Sequence, residues 1–143
     1  MNPNTWQLWA ILSAVFAAMT AIFAKIGVTD IDSDLATFLR TIVILVVLGV
    51  ILATTQKLDL KIIGRLPVKS LLFLTLSGLA TGASWLSYFH ALKLGEASQV
   101  APVDKLSVVL VAIFGVLFLG EKMESLDWAG ITLIATGVIL TVL

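Results

Sequence analysis

The chain has 143 residues, of which 59% are hydrophobic and 13% charged, with a formal net charge of zero. A soluble domain carries about 25% charged residues because its surface must face water, so this composition excludes a water-facing globule and indicates a protein surrounded by lipid. The balanced charge offers no basic surface for nucleic acid. The absence of cysteine excludes disulfides, thiolate metal sites and cysteine nucleophiles.

Five apolar stretches are long enough to cross a bilayer, which takes about 20 residues as helix. They cover approximately residues 6–27, 35–54, 70–92, 100–119 and 126–143. Helices are favoured over strands because backbone polar groups in hydrocarbon must find partners within the segment. The sequence therefore predicts an all-α integral membrane protein, a five-transmembrane-helix bundle that forms one domain.

Polar side chains predict where four of these helices begin. Thr5, Ser98 and Ser125 are expected to cap the first, fourth and fifth helices, and the Asp32–Asp34 pair the second. Because the start "MNPNT" has no basic residue and the apolar run behind it is long, the first span is expected to stay in the mature protein.

The basic residues between the spans predict the orientation of the chain. One side of the membrane receives Lys57, Lys61, Arg65, Lys69 and Lys122, whereas the other receives only Lys25 and Lys93. An excess of Lys and Arg marks the cytoplasmic side. The N-terminus is therefore expected inside and the C-terminus outside, in the cytoplasmic (inner) membrane.

Small residues cluster on one side of the third span, where Gly78 and Gly82 form a GxxxG pair next to Ser77, Thr81 and Ser84. Small side chains allow the backbones of two helices to approach closely. Two interpretations stay open: tight packing within one subunit, or a contact between two copies.

Ionisable residues within or at the edges of the spans are predicted to lie toward one face of the membrane. They are Lys25, Arg40, His90, Asp104 and Lys105. The ends of the first and third helices share a side with the starts of the second and fourth, because alternate helices run in opposite directions. Charges in hydrocarbon are costly, so these groups are expected to reach water or each other. Lys25 is expected to extend to the interface.

Asp104 and Lys105 raise a separate question, since neighbours on a helix point about 100° apart and are not expected to pair. Asp104 is expected to pair with Arg40 or His90, which leaves Lys105 to face a cavity and an anionic or polar substrate. Trp85, Tyr88 and Phe89 approach the same level and could wall that cavity, although aromatic residues at this depth more commonly form the interfacial belt. The predicted substrate-binding residues are Arg40, Trp85, Tyr88, His90, Asp104 and Lys105.

Two alternatives apply to this region. The long basic side chains could simply extend to the interface. Pro102 could either start the fourth helix, where its missing N–H costs little, or mark a bend.

Glu121 follows Gly120, a suitable helix terminator, and is expected to form an ion pair with a basic residue of the connection 56–69.

Several segments carry a family resemblance. They are "FAKIGV", "LATFLRT", "GLATGASWLSYFHALKLGEASQVAPVDKLSVV" and "FLGEKM", followed by a glycine-spaced last helix. The chain resembles a single EamA domain of the drug/metabolite transporter superfamily, in its short five-span form. The resemblance implies a secondary transporter for small metabolites, whose larger relatives carry two inverted repeats around a central cavity.

A chain with one repeat would need a partner to complete such a cavity. The expected partners are the lipid bilayer, a small-molecule substrate, and a second chain, in a homodimer that could be antiparallel or a heterodimer with a related short chain. The predicted function is a half-transporter that moves a small polar or charged metabolite by alternating access, driven by a proton or substrate gradient. No cofactor and no metal are expected.

Two other functional classes are alternatives to transport. A non-transporting scaffold or accessory subunit is the main alternative. An enzyme is not expected, because the chain has one histidine and no H-E-x-x-H motif.

Overall fold

The computed structural model describes residues 5–57 and 66–143. Within these ranges every regular element is a helix, in the order α1 (Thr5–Gly27), α2 (Ser33–Thr54), α3 (Val68–Leu94), α4 (Ala97–Asp104), α5 (Ser107–Phe114), a π-helical segment (Gly115–Leu119) and α6 (Ser125–Val142).

Five helical stretches of the described chain are long and apolar enough to cross a membrane. Four are single helices: α1, α2, α3 and α6. The other crossing, Ala97–Leu119, is assembled from α4, α5 and the π-helical segment. The predicted all-α fold with five membrane-spanning stretches is therefore confirmed.

The helix starts agree with the sequence at α2 and differ at α4 and α6. One carboxylate oxygen of Asp32 accepts hydrogen bonds from the N–H groups of Leu35 and Asp34, at 3.1 and 3.0 Å. These bonds, that from Leu35 first, hold the pKa of Asp32 below its ordinary value. The predicted cap at the second helix is thus confirmed.

Ser98 and Ser125 are not the caps of their helices. The cap positions are Glu96 and Glu124, so Ser98 and Ser125 already lie inside the first turn. Glu124 and Asp127 form a reciprocal capping box, in which each carboxylate accepts from the other residue's N–H. Thr5 is the first residue of α1; its side chain lies outside the described residues, so that cap stays a prediction.

The fourth crossing is not a continuous α-helix, in agreement with the second of the two roles that the sequence left open for Pro102. Because α4 begins at Ala97, Pro102 is its sixth residue and lies beyond the first turn. A proline there leaves the carbonyl of Ser98 without its helical donor. Soon afterwards the N–H groups of Lys105 and Leu106 bond carbonyls three residues back, each at 3.0 Å, instead of four. The helix tightens and is interrupted between Asp104 and Ser107.

The chain divides into two compact units. The unit Ala24–Lys93, here called the central unit, contains the end of α1, all of α2 and nearly all of α3; its buried apolar residues include Val28, Phe89 and Leu92. The other, here called the C-terminal unit, combines Leu94–Leu143 with the chain up to Phe23. There α4 and α5 both pack against α6.

Candidate functional site

Two lysines anchor the end of α3 within the central unit. The ammonium of Lys25 donates to the carbonyl of Leu92 at 2.9 Å, and that of Lys93 donates to the carbonyl of Ile31 at 2.7 Å. Cations are favourable beside the carbonyls that end a helix. Lys25 therefore contacts a protein carbonyl, where the sequence led us to expect an extension to the interface. These bonds fix the end of α3 beside the start of α2.

This anchoring places Arg40 of α2 over two aromatic rings of α3. The guanidinium carbon lies 4.2 Å from the centroid of the Trp85 ring and 5.3 Å from that of Phe89. Both distances are within the range of cation–π attraction, which is strongest for Trp. Phe89 is buried, whereas Arg40 and Trp85 are half-buried. The structure thus brings together two of the predicted site residues.

A groove of about 520 Å³ runs along α2 and α3 from this stacked pair. It is lined by Thr37, Phe38, Thr41, Leu74, Ser77, Gly78, Thr81, Gly82, Trp85 and Leu86. Its volume lies within the range of small-molecule sites, which is about 300–1,000 Å³. Its surface is mostly apolar, with a few hydroxyl groups, as is common in such sites.

The threonine hydroxyls of the groove already donate within their own helices. Thr37 bonds the carbonyl of Ser33 at 2.9 Å, Thr41 that of Thr37 at 2.7 Å, and Thr81 that of Ser77 at 2.8 Å. A hydroxyl that donates still has oxygen lone pairs that can accept. The groove can therefore receive donor groups from a solute.

The GxxxG pair keeps this groove open. A Cβ atom added at Gly78 or Gly82 would meet no described atom within 4 Å. Tight packing within one subunit, the first interpretation of these glycines, is therefore not what the described residues show at this face. The second interpretation, a contact between copies, stays a prediction.

His90 and Tyr88 lie apart from the groove lining. The Nδ1 atom of His90 is 3.4 Å from the hydroxyl oxygen of Ser33, a residue only 3% exposed. His90 itself is exposed and Tyr88 is half-buried. Within the central unit, Arg40 stacks on Trp85 and His90 meets Ser33. The expected pairing of Asp104 with Arg40 or His90 would join residues of different units and stays a prediction.

Asp104 and Lys105 pair with each other in the C-terminal unit, which corrects the prediction that neighbours on a helix would not meet. Their carboxylate oxygen and ammonium nitrogen are 3.0 Å apart. Lys105 follows the last residue of α4 with φ −71° and ψ −7°, so it has left the ideal helix, and the 100° separation between neighbours no longer applies. The side chains of Lys105 and Asp104 are 54% and 34% exposed.

Glu121 folds back on the π-helical segment. Gly120 adopts a left-handed conformation with φ 67°, as expected of a helix terminator, and the N–H of Glu121 bonds the carbonyl of Gly115 at 3.1 Å. A Cβ at Gly115 would lie 2.6 Å from a carboxylate oxygen of Glu121. Lys61 and Arg65, two expected partners of Glu121, lie outside the described residues, so that ion pair stays a prediction.

A second groove of about 590 Å³ lies between α5 and α6 of the C-terminal unit, and Glu121 and Asp127 are among its lining residues. No group of His, Asp or Glu in the described chain is arranged to hold a metal ion.

The threonines of α2 were not among the predicted site residues, and Phe89 was expected only as part of the cavity wall. Phe89 follows Trp85 by four positions, so the two rings share a face of α3; that spacing was visible in the sequence. Thr37 and Thr41 gave no comparable signal, because hydroxyl groups that bond their own helix are common in apolar helices.

Comparison with known proteins agrees with the early resemblance. The EamA-like transporter family matches residues 4–143. A protein of Sinorhizobium sp named "Uncharacterized transporter in cobO 3'region" is 59% identical to this chain over 137 residues, which cover 96% of each. No solved structure matches the chain.

Proposed function

Because the chain belongs to the EamA-like transporter family, we propose that it is a half-transporter, which moves a small polar or charged metabolite across the membrane by alternating access. A second chain completes the translocation pathway. Family membership and the named relative point to a transporter rather than an enzyme.

The observation that carries this proposal is the groove along α2 and α3. Arg40 stacks on Trp85, one of its lining residues, and hydroxyl groups line its wall, inside two helices that are otherwise apolar. Polar and charged groups within membrane spans are costly and commonly mark the path of a substrate. A packing surface against lipid would need neither the arginine nor the open volume.

We propose a second copy, or a related short chain, because one repeat supplies only half of the helices that would enclose a cavity. Transporters commonly place the substrate between two repeats of opposite orientation. The glycines of α3 leave an open face at which another helix could approach.

The chain lacks cysteine, so Gly78→Cys would introduce a single reactive site. Crosslinking of this variant in native membranes should give dimers, and a persistent monomer would contradict the assembly.

The test of transport is uptake by the purified protein in liposomes. Chemically diverse metabolites, including sugars, amino acids, organic acids and amines, would be offered to protein-containing and empty liposomes. Entry of at least one solute above the empty control is expected. Failure of every solute, with the protein shown to be folded, would favour a scaffold or accessory subunit.

The proposed orientation places the N-terminus in the cytoplasm and the C-terminus outside, in the inner membrane, because Lys57, Lys69 and Lys122 lie on the side predicted to be cytoplasmic. A single cysteine at Thr55 should resist an impermeant thiol reagent in intact cells and react after permeabilisation. Partial reaction in intact cells would mean that the chain inserts in both orientations.

A further inference from the structure

The positive charge of Arg40 lies within α2, and no carboxylate among the described residues of its own unit pairs with it. Arg40 is seven residues beyond Ser33, about 10 Å along the helix at 1.5 Å per residue. Among residues 24–57 and 66–93, no carboxylate lies within 4 Å of its guanidinium nitrogens. Charges in membrane helices almost always find a partner or a water-filled cavity.

The surroundings of Arg40 determine which part of the guanidinium is available. The rings of Trp85 and Phe89 lie close to the guanidinium carbon, at 4.2 and 5.3 Å. Cation–π contacts satisfy the charge partially but accept none of the five N–H hydrogen bonds, which point outward in the guanidinium plane. Among the described residues of the central unit, the Tyr88 phenol interacts electrostatically with the guanidinium, but no carboxylate accepts from its N–H groups. A planar fork of donors is therefore held against the two rings without an anionic partner in these residues.

We propose that this edge of Arg40 binds the oxyanion, a carboxylate or phosphate, of a small solute that occupies the groove. Two parallel N–H groups match two oxygens of such a group, an arrangement that a lysine ammonium cannot reproduce. Trp85 is a positioning residue, which holds the guanidinium plane. The proposal rests on the proposed transport function and names its substrate class: small organic anions or phosphate esters.

Arg40 is better suited to bind an anion than Lys105, the residue that the sequence alone predicted to contact the substrate. The charge of Lys105 is matched by Asp104 at 3.0 Å, so an approaching anion would meet a neutral pair. The charge of Arg40 is not matched by any carboxylate among the described residues of its unit. Its partner Trp85 lines the groove, and Thr37 and Thr41 lie on the same wall.

The test measures anion binding by thermal stabilisation of purified protein in nanodiscs of phosphatidylcholine, since a ligand that binds the folded state raises its melting temperature. The probes are succinate, its uncharged diamide and inorganic phosphate. Succinate or phosphate should raise the melting temperature of wild-type protein, and the diamide should not.

Arg40→Gln should weaken this binding by about tenfold or more, the usual contribution of charge-assisted hydrogen bonds. Arg40→Lys should give an intermediate loss, because the charge stays and the fork is removed. Lys122→Gln is the matched control: it removes one exposed positive charge from a loop and should bind as wild type does. If Arg40→Gln does not fold, Arg40→Lys decides, and wild-type affinity in that variant overturns the proposal.

Three other results would overturn the inference. Wild-type protein could show no stabilisation by either anion. Stabilisation could be equal in Arg40→Gln and wild type. The oxyanion could also come from lipid: an Arg40-dependent stabilisation that needs phosphatidylglycerol and no added solute would assign the edge to a headgroup.

The transport function is tested apart from this inference. Uptake of uncharged solutes with no dependence on Arg40 would keep the transporter and reject the anion site. Arg40-dependent binding of succinate or phosphate without any uptake would keep the anion site and reject the transporter.

Discussion

The molecule places a positive charge in an apolar helix in two different ways. In the central unit, Arg40 lies against the faces of Trp85 and Phe89, with no carboxylate close by in that unit's described residues. In the C-terminal unit, Lys105 is matched by the adjacent Asp104 at an interruption between α4 and α5. The first arrangement leaves the hydrogen-bond donors without an anionic partner in those residues, whereas the second satisfies the charge locally.

This difference indicates which region is prepared for a ligand. A cation–π contact positions a charge while preserving its capacity for hydrogen bonds, so a site built in this way can still bind an anion. An ion pair between neighbours leaves little net charge to attract an anion. The Asp104–Lys105 pair is suited to stabilising the helix interruption in the membrane. Arg40 is suited to binding the proposed anion.

The largest expected effect comes from filling the groove beside Arg40. Gly82→Leu should abolish uptake, because the new side chain would occupy the groove. The protein should remain folded, since a Cβ at Gly82 meets no described atom within 4 Å and Leu is the better helix former by up to about 1 kcal/mol. Uptake and melting temperature are the two measurements.

Gly49→Leu is the matched control for this variant. Gly49 lies in α2, has the same open space around its Cβ position and does not line the groove. It should keep normal uptake. Equal activity of Gly82→Leu and wild type would show that the groove is not the substrate site, and the contrast between the two regions would lose its functional meaning.

A smaller effect is expected from separating Arg40 and Trp85. In a double-mutant cycle of Arg40→Gln and Trp85→Leu, the free energies of unfolding should be non-additive by about 0.5–2 kcal/mol, the range of cation–π attraction. Combining Trp85→Leu with Lys122→Gln should give additive values. Additivity in the first cycle would mean that the stacked geometry contributes nothing to stability.

The smallest effect on stability is expected at the Asp104–Lys105 pair. Asp104→Asn and Lys105→Gln should each change the free energy of unfolding by about 1 kcal/mol or less, because both side chains are partly exposed. A loss of about 3–5 kcal/mol would instead indicate a buried pair. Lys105→Gln should also retain more uptake than Arg40→Gln; the reverse order would restore Lys105 as the residue that contacts the substrate.

The residues of the candidate site show how far sequence reasoning reached. Arg40 and Trp85 were identified because charged and aromatic residues are conspicuous in apolar spans, and the structure places them in contact. The expectation that Asp104 and Lys105 would not meet was wrong, because it assumed an ideal helix through Lys105. Of the two roles left open for Pro102, the structure supports the one within the helix, because α4 begins at Ala97, three residues before the predicted Val100.

The sequence by itself determined the fold class and the membrane spans. Hydropathy is a sum over neighbouring residues and needs no knowledge of what they touch. Capping at Asp32 was equally readable, because the cap bonds N–H groups two and three residues away. Only the tertiary structure decided that Gly78 and Gly82 face an open groove, that Arg40 stacks on α3, and that His90 meets Ser33. Each of these depends on the separation and rotation of two helices, which side chains distant in sequence set together.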